Sequence, residues 1–330
     1  MTDKEEVSAI LARGAITADD VSRLRQSVFW KGVVTPDDAE MAFTLNDKLG
    51  ETADPSWPAF FIDALVDYIV VQAEPTGYIS EANADWLIGH MSRSNRIETE
   101  TELELLVKVL ERAKSSPVKL VSYVLTQVKW GVLEGDGYIG HHRKLQPGVV
   151  GEAEVELIRR VLYAFGGDGN IAVTRQEAEI LFDINDATAQ ADNDPAWSDL
   201  FVKAIANFLM ATFGYQVPTR QEALRREKWL DEPTPGIGGF MGQMLAGSLG
   251  AIWDAYENLS IDGEPRKKPT SGLSFDDQPR ATDDDVRFVV ERIGRDHHLQ
   301  ANEAALINFL KSRDAQRFPK LKPILDLAVA

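Results

Sequence analysis

The chain contains no cysteine. That excludes disulfides, thiolate metal sites and cysteine nucleophiles. No run approaches the roughly 18 consecutive apolar residues that a membrane-spanning helix needs. The opening MTDKEEVSAI is polar and acidic, without the apolar segment of a secretory leader, so the sequence reads as cytoplasmic. Basic charge is also scarce. The 35 Lys and Arg are outnumbered by 52 Asp and Glu, for a net charge of −17. Such a field repels phosphate backbones, and the one basic cluster, Arg266-Lys267-Lys268, is too short to reverse it, so no nucleic-acid partner is expected. No nucleophile-elbow, P-loop or dinucleotide fingerprint occurs, and Gly236-Ile-Gly-Gly239 follows no strand. Alternating strand patterns are lacking too.

What is present is self-similarity. Residues 34–47 read VTPDDAEMAFTLND and residues 173–186 read VTRQEAEILFDIND, with seven of fourteen positions identical. The match continues from DPSWPAFFIDALVDYI (54–69) to DPAWSDLFVKAIANFL (194–209), apolar position for apolar position. Upstream, Val155 aligns with Val21 and Leu162 with Val28, and extra residues then enter around Gly166–Gly169. A third, shorter segment starts at Thr282 and keeps register with residues from Thr17, so that Ala304 meets Ala39 and Leu310 meets Leu45. Repetition at a fixed offset decides architecture before any motif does.

The periodicity is helical. Trp57, Phe60, Phe61, Ala64, Leu65, Tyr68 and Ile69 form one stripe, repeated by Trp197, Leu200, Phe201, Ala204, Ile205, Phe208 and Leu209. Leu103, Leu105, Leu106, Val109 and Leu110 form another. The expected fold is all-α: tandem duplicated helical units with a truncated third copy. The expected divisions are a first unit over 1–146, a second over 147–260, a Pro-, Gly- and charge-rich linker over 261–280, and a partial repeat over 281–330.

One local device recurs. Ser or Thr is followed three residues later by an acid or amide, as in Thr17…Asp20, Thr35…Asp38, Ser80…Asn83, Thr174…Glu177, Thr219…Glu222 and Thr282…Asp285. Gly14, Gly32 and Gly77 precede three of them, and Pro36 takes the favoured first helical position after Thr35. This is the pattern of a helix start, in which hydroxyl and acid each satisfy an orphan backbone N–H at about 1 kcal/mol per cap. On this reading the acids are structural.

The other reading of the acids is a divalent cation. Gly166-Gly-Asp-Gly-Asn-Ile171 and Glu134-Gly-Asp-Gly-Tyr-Ile139 match the middle of a calcium-ligand loop. With Gly169 or Gly137 at loop position 6, position 1 falls on Ala164 or Val132 and position 12 on Arg175 or Arg143. Calcium takes roughly six to eight oxygens, so a variant site would have to draw on Asp168, Asn170 and Glu177, or on Glu134 and Asp136. These turns resemble EF-hand pairs that have lost ligands. They are similar also to the helical repeats of the TerB-like, tellurite-resistance class, over about ten residues per copy. The resemblance implies an acidic cytoplasmic protein with metal or stress links, and calcium is the one cofactor it suggests.

Other candidates are weaker. Asn46-Asp47 and Asn185-Asp186, each followed by an Asp-Pro pair, read as helix ends before the next turn, with clustered carboxylates as the alternative. The adjacent His141-His142 and His297-His298 lack zinc spacing, although His141 lies near Glu134 and Asp136. Residues 240–253, FMGQMLAGSLGAIW, read as a core helix, or as a partner-binding helix in which Met241, Met244 and Trp253 form an adaptable apolar surface. The expected function is non-enzymatic: an interaction or scaffold protein that receives a protein or peptide partner. Calcium binding is the alternative, and the sequence leaves the oligomeric state open.

Overall fold

A computed structural model describes residues 3–30, 32–74, 76–91, 96–164, 173–212, 283–295, 298–312 and 322–327. Its fold is all-α, and among the described residues the sole β-type pairing is one isolated bridge, Tyr78 to Ser115. Met241, Met244 and Trp253 lie outside the described residues.

The chain divides into two compact units. Unit 1 comprises Met1–Pro147 with Arg160–Gly167, and unit 2 comprises Gly148–Arg159 with Asp168–Ala330. Unit 1 contains α1 (Asp3–Arg13), α2 (Ala18–Trp30), α3 (Pro36–Leu49), α4 (Trp57–Val66), α5 (Glu81–Met91), α6 (Glu100–Arg112), α7 (Val118–Leu133) and α8 (Gly137–His141). A π turn, Asp67–Val71, extends α4. The chain then passes through α9 (Glu152–Leu162), and unit 2 adds α10 (Arg175–Thr188), α11 (Pro195–Thr212), α12 (Asp283–Arg292), α13 (Ala301–Ser312) and α14 (Lys322–Asp326).

The apolar stripes become the cores. Trp57, Phe60, Phe61 and Leu65 are fully buried in α4, and Trp197, Leu200, Phe201 and Ile205 are buried in α11. Each unit then uses the same contacts. Phe43 meets Phe61 edge-on at 5.4 Å, and Phe182 meets Phe201 edge-on at 5.2 Å. The Asp54 N–H donates to Ile16 O at 2.9 Å, and the Asp194 N–H donates to Val150 O at 2.8 Å. Tyr68 and Phe43 each reach Trp86 on α5, at 5.5 and 5.4 Å. Phe208 and Phe182 each reach Phe288 on α12, both at 6.0 Å. α6 packs on α4, and α13 packs on α11.

The sequence register aligned 282–310 with 17–45. In unit 2, α12 and α13 have the packing partners that α5 and α6 have in unit 1. The buried pair Ile324 and Leu325 on α14, which packs on α12 and α13, extends the parallel to Leu120 and Val121 on α7, which packs on α5 and α6.

Candidate functional site

The helix-start acids come first, because the cation reading depends on them. Thr35 accepts from the Asp38 N–H at 3.2 Å while Asp38 Oδ2 accepts from the Thr35 N–H at 2.9 Å. Thr174 and Glu177 do the same at 3.3 and 2.7 Å. Thr17 with Asp20 and Thr99 with Glu102 are two more reciprocal pairs. Glu154 accepts from the Gly151 N–H at 2.9 Å, and Glu303 accepts from the Gln300 N–H at 2.9 Å. The sequence reading passed over the last three sites. Thr99-x-x-Glu102 carried the signal in full, whereas Gly151 and Gln300 lack the hydroxyl that marks a cap. Thr219, Glu222 and Thr282 lie outside the described residues.

All six acids are buried. Their ionisation differs by neighbour. Burial pushes Glu177 up to about 7, against the Thr174 hydrogen bonds that pull it down. Burial likewise pushes Glu102 up to about 7, aided by the charge on Asp47. Burial also raises Asp20, but the hydrogen bonds from Thr17 and the Arg13 and Arg23 guanidinium groups outweigh it and hold that carboxyl below its usual range. The contrast lies in the balance: at Asp20 the Thr17 hydrogen bonds, with the two guanidinium groups behind them, outweigh burial, whereas burial dominates at Glu102 and Glu177.

The 132–143 turn shows what fills a ligand-like loop here. Gly140 sits so close to Gly135 that an added Cβ would lie 2.0 Å from its carbonyl carbon, which presses α8 onto the end of α7. Arg143, at loop position 12, donates from Nη1 to Gly131 O and Val132 O, both at 2.9 Å. Arg96 lies 3.5 Å over the Trp130 ring and ion-pairs with Glu134 at 3.3 Å and Asp136 at 3.1 Å. A guanidinium group therefore contacts Glu134 and Asp136, the two carboxylates that a cation would need. Sequence spacing revealed Arg143 but not Arg96, which lies 34 residues before Trp130 and 38 before Glu134.

In the second loop, Asp168 and Asn170 lie outside the described residues, and Glu177 is the capping acid of α10. His142 stacks on Tyr138 at 4.3 Å, and His90 bridges Trp86 O at 2.8 Å and Glu40 Oε2 at 3.1 Å. Among the described residues no three His, Asp or Glu side chains gather at metal-ligating spacing. None of the described helices is long and apolar enough to cross a membrane.

The Asn-Asp pairs diverge between units. Asn46 Oδ1 accepts from Trp57 Nε1 at 3.1 Å in a buried setting. Asn185 instead bonds Gln300 Oε1 at 3.0 Å and Asn302 Nδ2 at 2.8 Å, and the buried Trp197 Nε1 has no hydrogen-bond partner. Asp183 and Asp186 hold Arg292 Nη2 at 2.8 and 2.9 Å. More than a hundred residues separate these acids from Arg292, so no local pattern announces the pair.

One surface feature stands apart. Trp30 at the end of α2 is 84 % exposed, and Val33 beside it is 53 % exposed, whereas Trp57 and Trp197 are at most 1 % exposed. Comparisons with protein-family models, with curated proteins and with solved structures find no match to this chain.

Proposed function

We propose that this chain is a non-enzymatic, cytoplasmic interaction protein that receives a protein or peptide partner. One observation carries the reading: a tryptophan that the core does not use, Trp30, stands in solvent next to Val33. Tryptophan is the residue most enriched where a few side chains supply most of the binding energy. The net charge of −17 favours a partner that joins an apolar anchor to surplus basic residues. The helix-start acids are engaged in caps, and the charges of the 132–143 turn are engaged with arginines, which leaves surface recognition as the better-supported role. Met241, Met244 and Trp253 belong to the same proposal as a second apolar surface.

The framework we infer is two related units of EF-hand-like or TerB-like type. In the second, residues 283–312 stand for 81–112 after an insertion. The matched aromatic and backbone contacts support this reading. Peptides selected on the full chain test the function: their affinity falls about tenfold or more for Trp30→Ser while helicity is unchanged. Equal affinity for both proteins overturns the assignment. Calcium binding at 132–143 or 164–177 is the competing reading. Calorimetry with calcium and manganese separates the two, since saturable heat would favour the cation.

A further inference from the structure

Two tryptophans at matched places in the two units differ by one hydrogen bond. Trp57 Nε1 donates to Asn46 Oδ1 at 3.1 Å. Trp197 is 1 % exposed, yet its Nε1–H has no hydrogen-bond partner. The equivalent acceptor is present, since Asn185 stands in the second copy where Asn46 stands in the first. Asn185 is turned elsewhere. Its Nδ2 donates to Gln300 Oε1 at 3.0 Å, and its Oδ1 accepts from Asn302 Nδ2 at 2.8 Å. Gln300 and Asn302 lie at the start of α13, where α6 has Thr99 and Thr101, whose side chains are shorter. The packing of α13 thus takes the acceptor from Trp197. A buried donor left without an acceptor carries its full desolvation cost.

The connections differ too. In unit 1, residues 72–80 join the π turn to α5, and the Gly77 N–H to Val70 O bond at 2.7 Å and the Ile79 N–H to Ser115 O bond at 2.9 Å pin them. In unit 2, residues 213–282 separate α11 from α12, so adjacency in sequence does not hold α12 in place. Side chains hold it instead. Phe288 meets Phe182 and Phe208, Arg292 meets Asp183 and Asp186, and the two amides of α13 meet Asn185. The polar members of this set lose little on release, because water replaces each partner.

We propose that α12 and α13 form a releasable strap on α10 and α11, with Asn185 as its catch. In the closed state Asn185 holds Gln300 and Asn302, and Trp197 goes without. In the released state Asn185 turns back to Trp197, as Asn46 does to Trp57. The bond that the released state regains keeps it within reach of the closed one. Release uncovers Phe182 and Phe208, both buried in the closed state. This device belongs to unit 2 and is independent of the Trp30 surface.

The test is native-state hydrogen exchange on the full chain. The amides of α12 and α13 are expected to open together, in a step less costly than the opening of α10 and α11. Trp197→Phe removes a donor that only the released state can satisfy, so opening of the strap becomes about fivefold rarer relative to α10 and α11. That ratio cancels the general loss from trimming the core. A second variant, Gln300→Ala with Asn302→Ala, frees the catch without touching the core. In it the strap opens about fivefold more often, and the Trp197 indole N–H resonance moves downfield, toward that of the hydrogen-bonded Trp57. The proposal is overturned if all four helices open in one step, if Trp197→Phe leaves the ratio unchanged or raises it, or if the second variant leaves the Trp197 resonance in place.

Discussion

Glu177→Gln separates a structural acid from an ion ligand. Gln keeps an oxygen that can accept from the Thr174 N–H, so the cap at the start of α10 survives the change. What the substitution removes is charge. In the folded chain burial holds the Glu177 carboxyl near 7, against an ordinary value of 4.5. Below pH 4.5 the acid is neutral in both folded and unfolded chains and affects stability little. Between pH 4.5 and 7 the unfolded chain releases the proton and the folded chain keeps it, so stability falls as pH rises. Above pH 7 the loss is complete. A gap of about 2.5 pKa units corresponds to about 3 kcal/mol at most. Glu177→Gln is therefore expected to match the unaltered chain at pH 4.5 and to exceed it by as much as about 3 kcal/mol at pH 8. Urea unfolding at the two pH values, with hydrogen exchange of the α10 amides as a local readout, measures the difference. A variant less stable than the parent at pH 8 would refute the reasoning, because it would mean that the ionised carboxylate strengthens the site.

Three further outcomes follow from the geometry. Trp57→Phe leaves Asn46 Oδ1 without its buried donor, while Trp197→Phe removes an N–H that has no acceptor, so Trp57→Phe is expected to cost about 1 kcal/mol more in urea unfolding. Arg143→Gln withdraws a charged donor from Gly131 O and Val132 O, and hydrogen exchange at the Glu134 and Asp136 amides should accelerate several-fold, in keeping with a loss of about 1 kcal/mol. Trp30→Ser should leave the thermal midpoint unchanged, because an 84 % exposed ring adds little to the core; a fall of several degrees would place Trp30 within the fold instead.

The helices were legible because each buries a stripe. Trp57 through Leu65 and Trp197 through Leu209 could be placed from spacing alone, and the starts at Thr35 and Thr174 from their hydroxyl-to-acid step. The π turn at Asp67–Val71 escaped, since its equivalent in unit 2 has the same apolar pattern and remains α-helical. Contacts that join distant segments escaped as well. Arg96 with Asp136, Arg292 with Asp183, and Asn185 with Gln300 each depend on packing that no short window encodes. The register of 282–310 shows the same limit. The register read in the sequence pairs α12 and α13 with α2 and α3, because Thr282…Asp285 repeats the hydroxyl-to-acid step of Thr17…Asp20. In space Phe288 meets Phe182 and Phe208 much as Trp86 meets Phe43 and Tyr68, a likeness that no short window carries.

The account holds that the acids at the helix starts serve backbone amides and not ions. Anomalous scattering from crystals of the full chain soaked in manganese measures this directly. The account predicts no peak within about 2.6 Å of the carboxylates of Asp38, Glu102, Glu177 or Glu303. A peak ringed by those oxygens would contradict it.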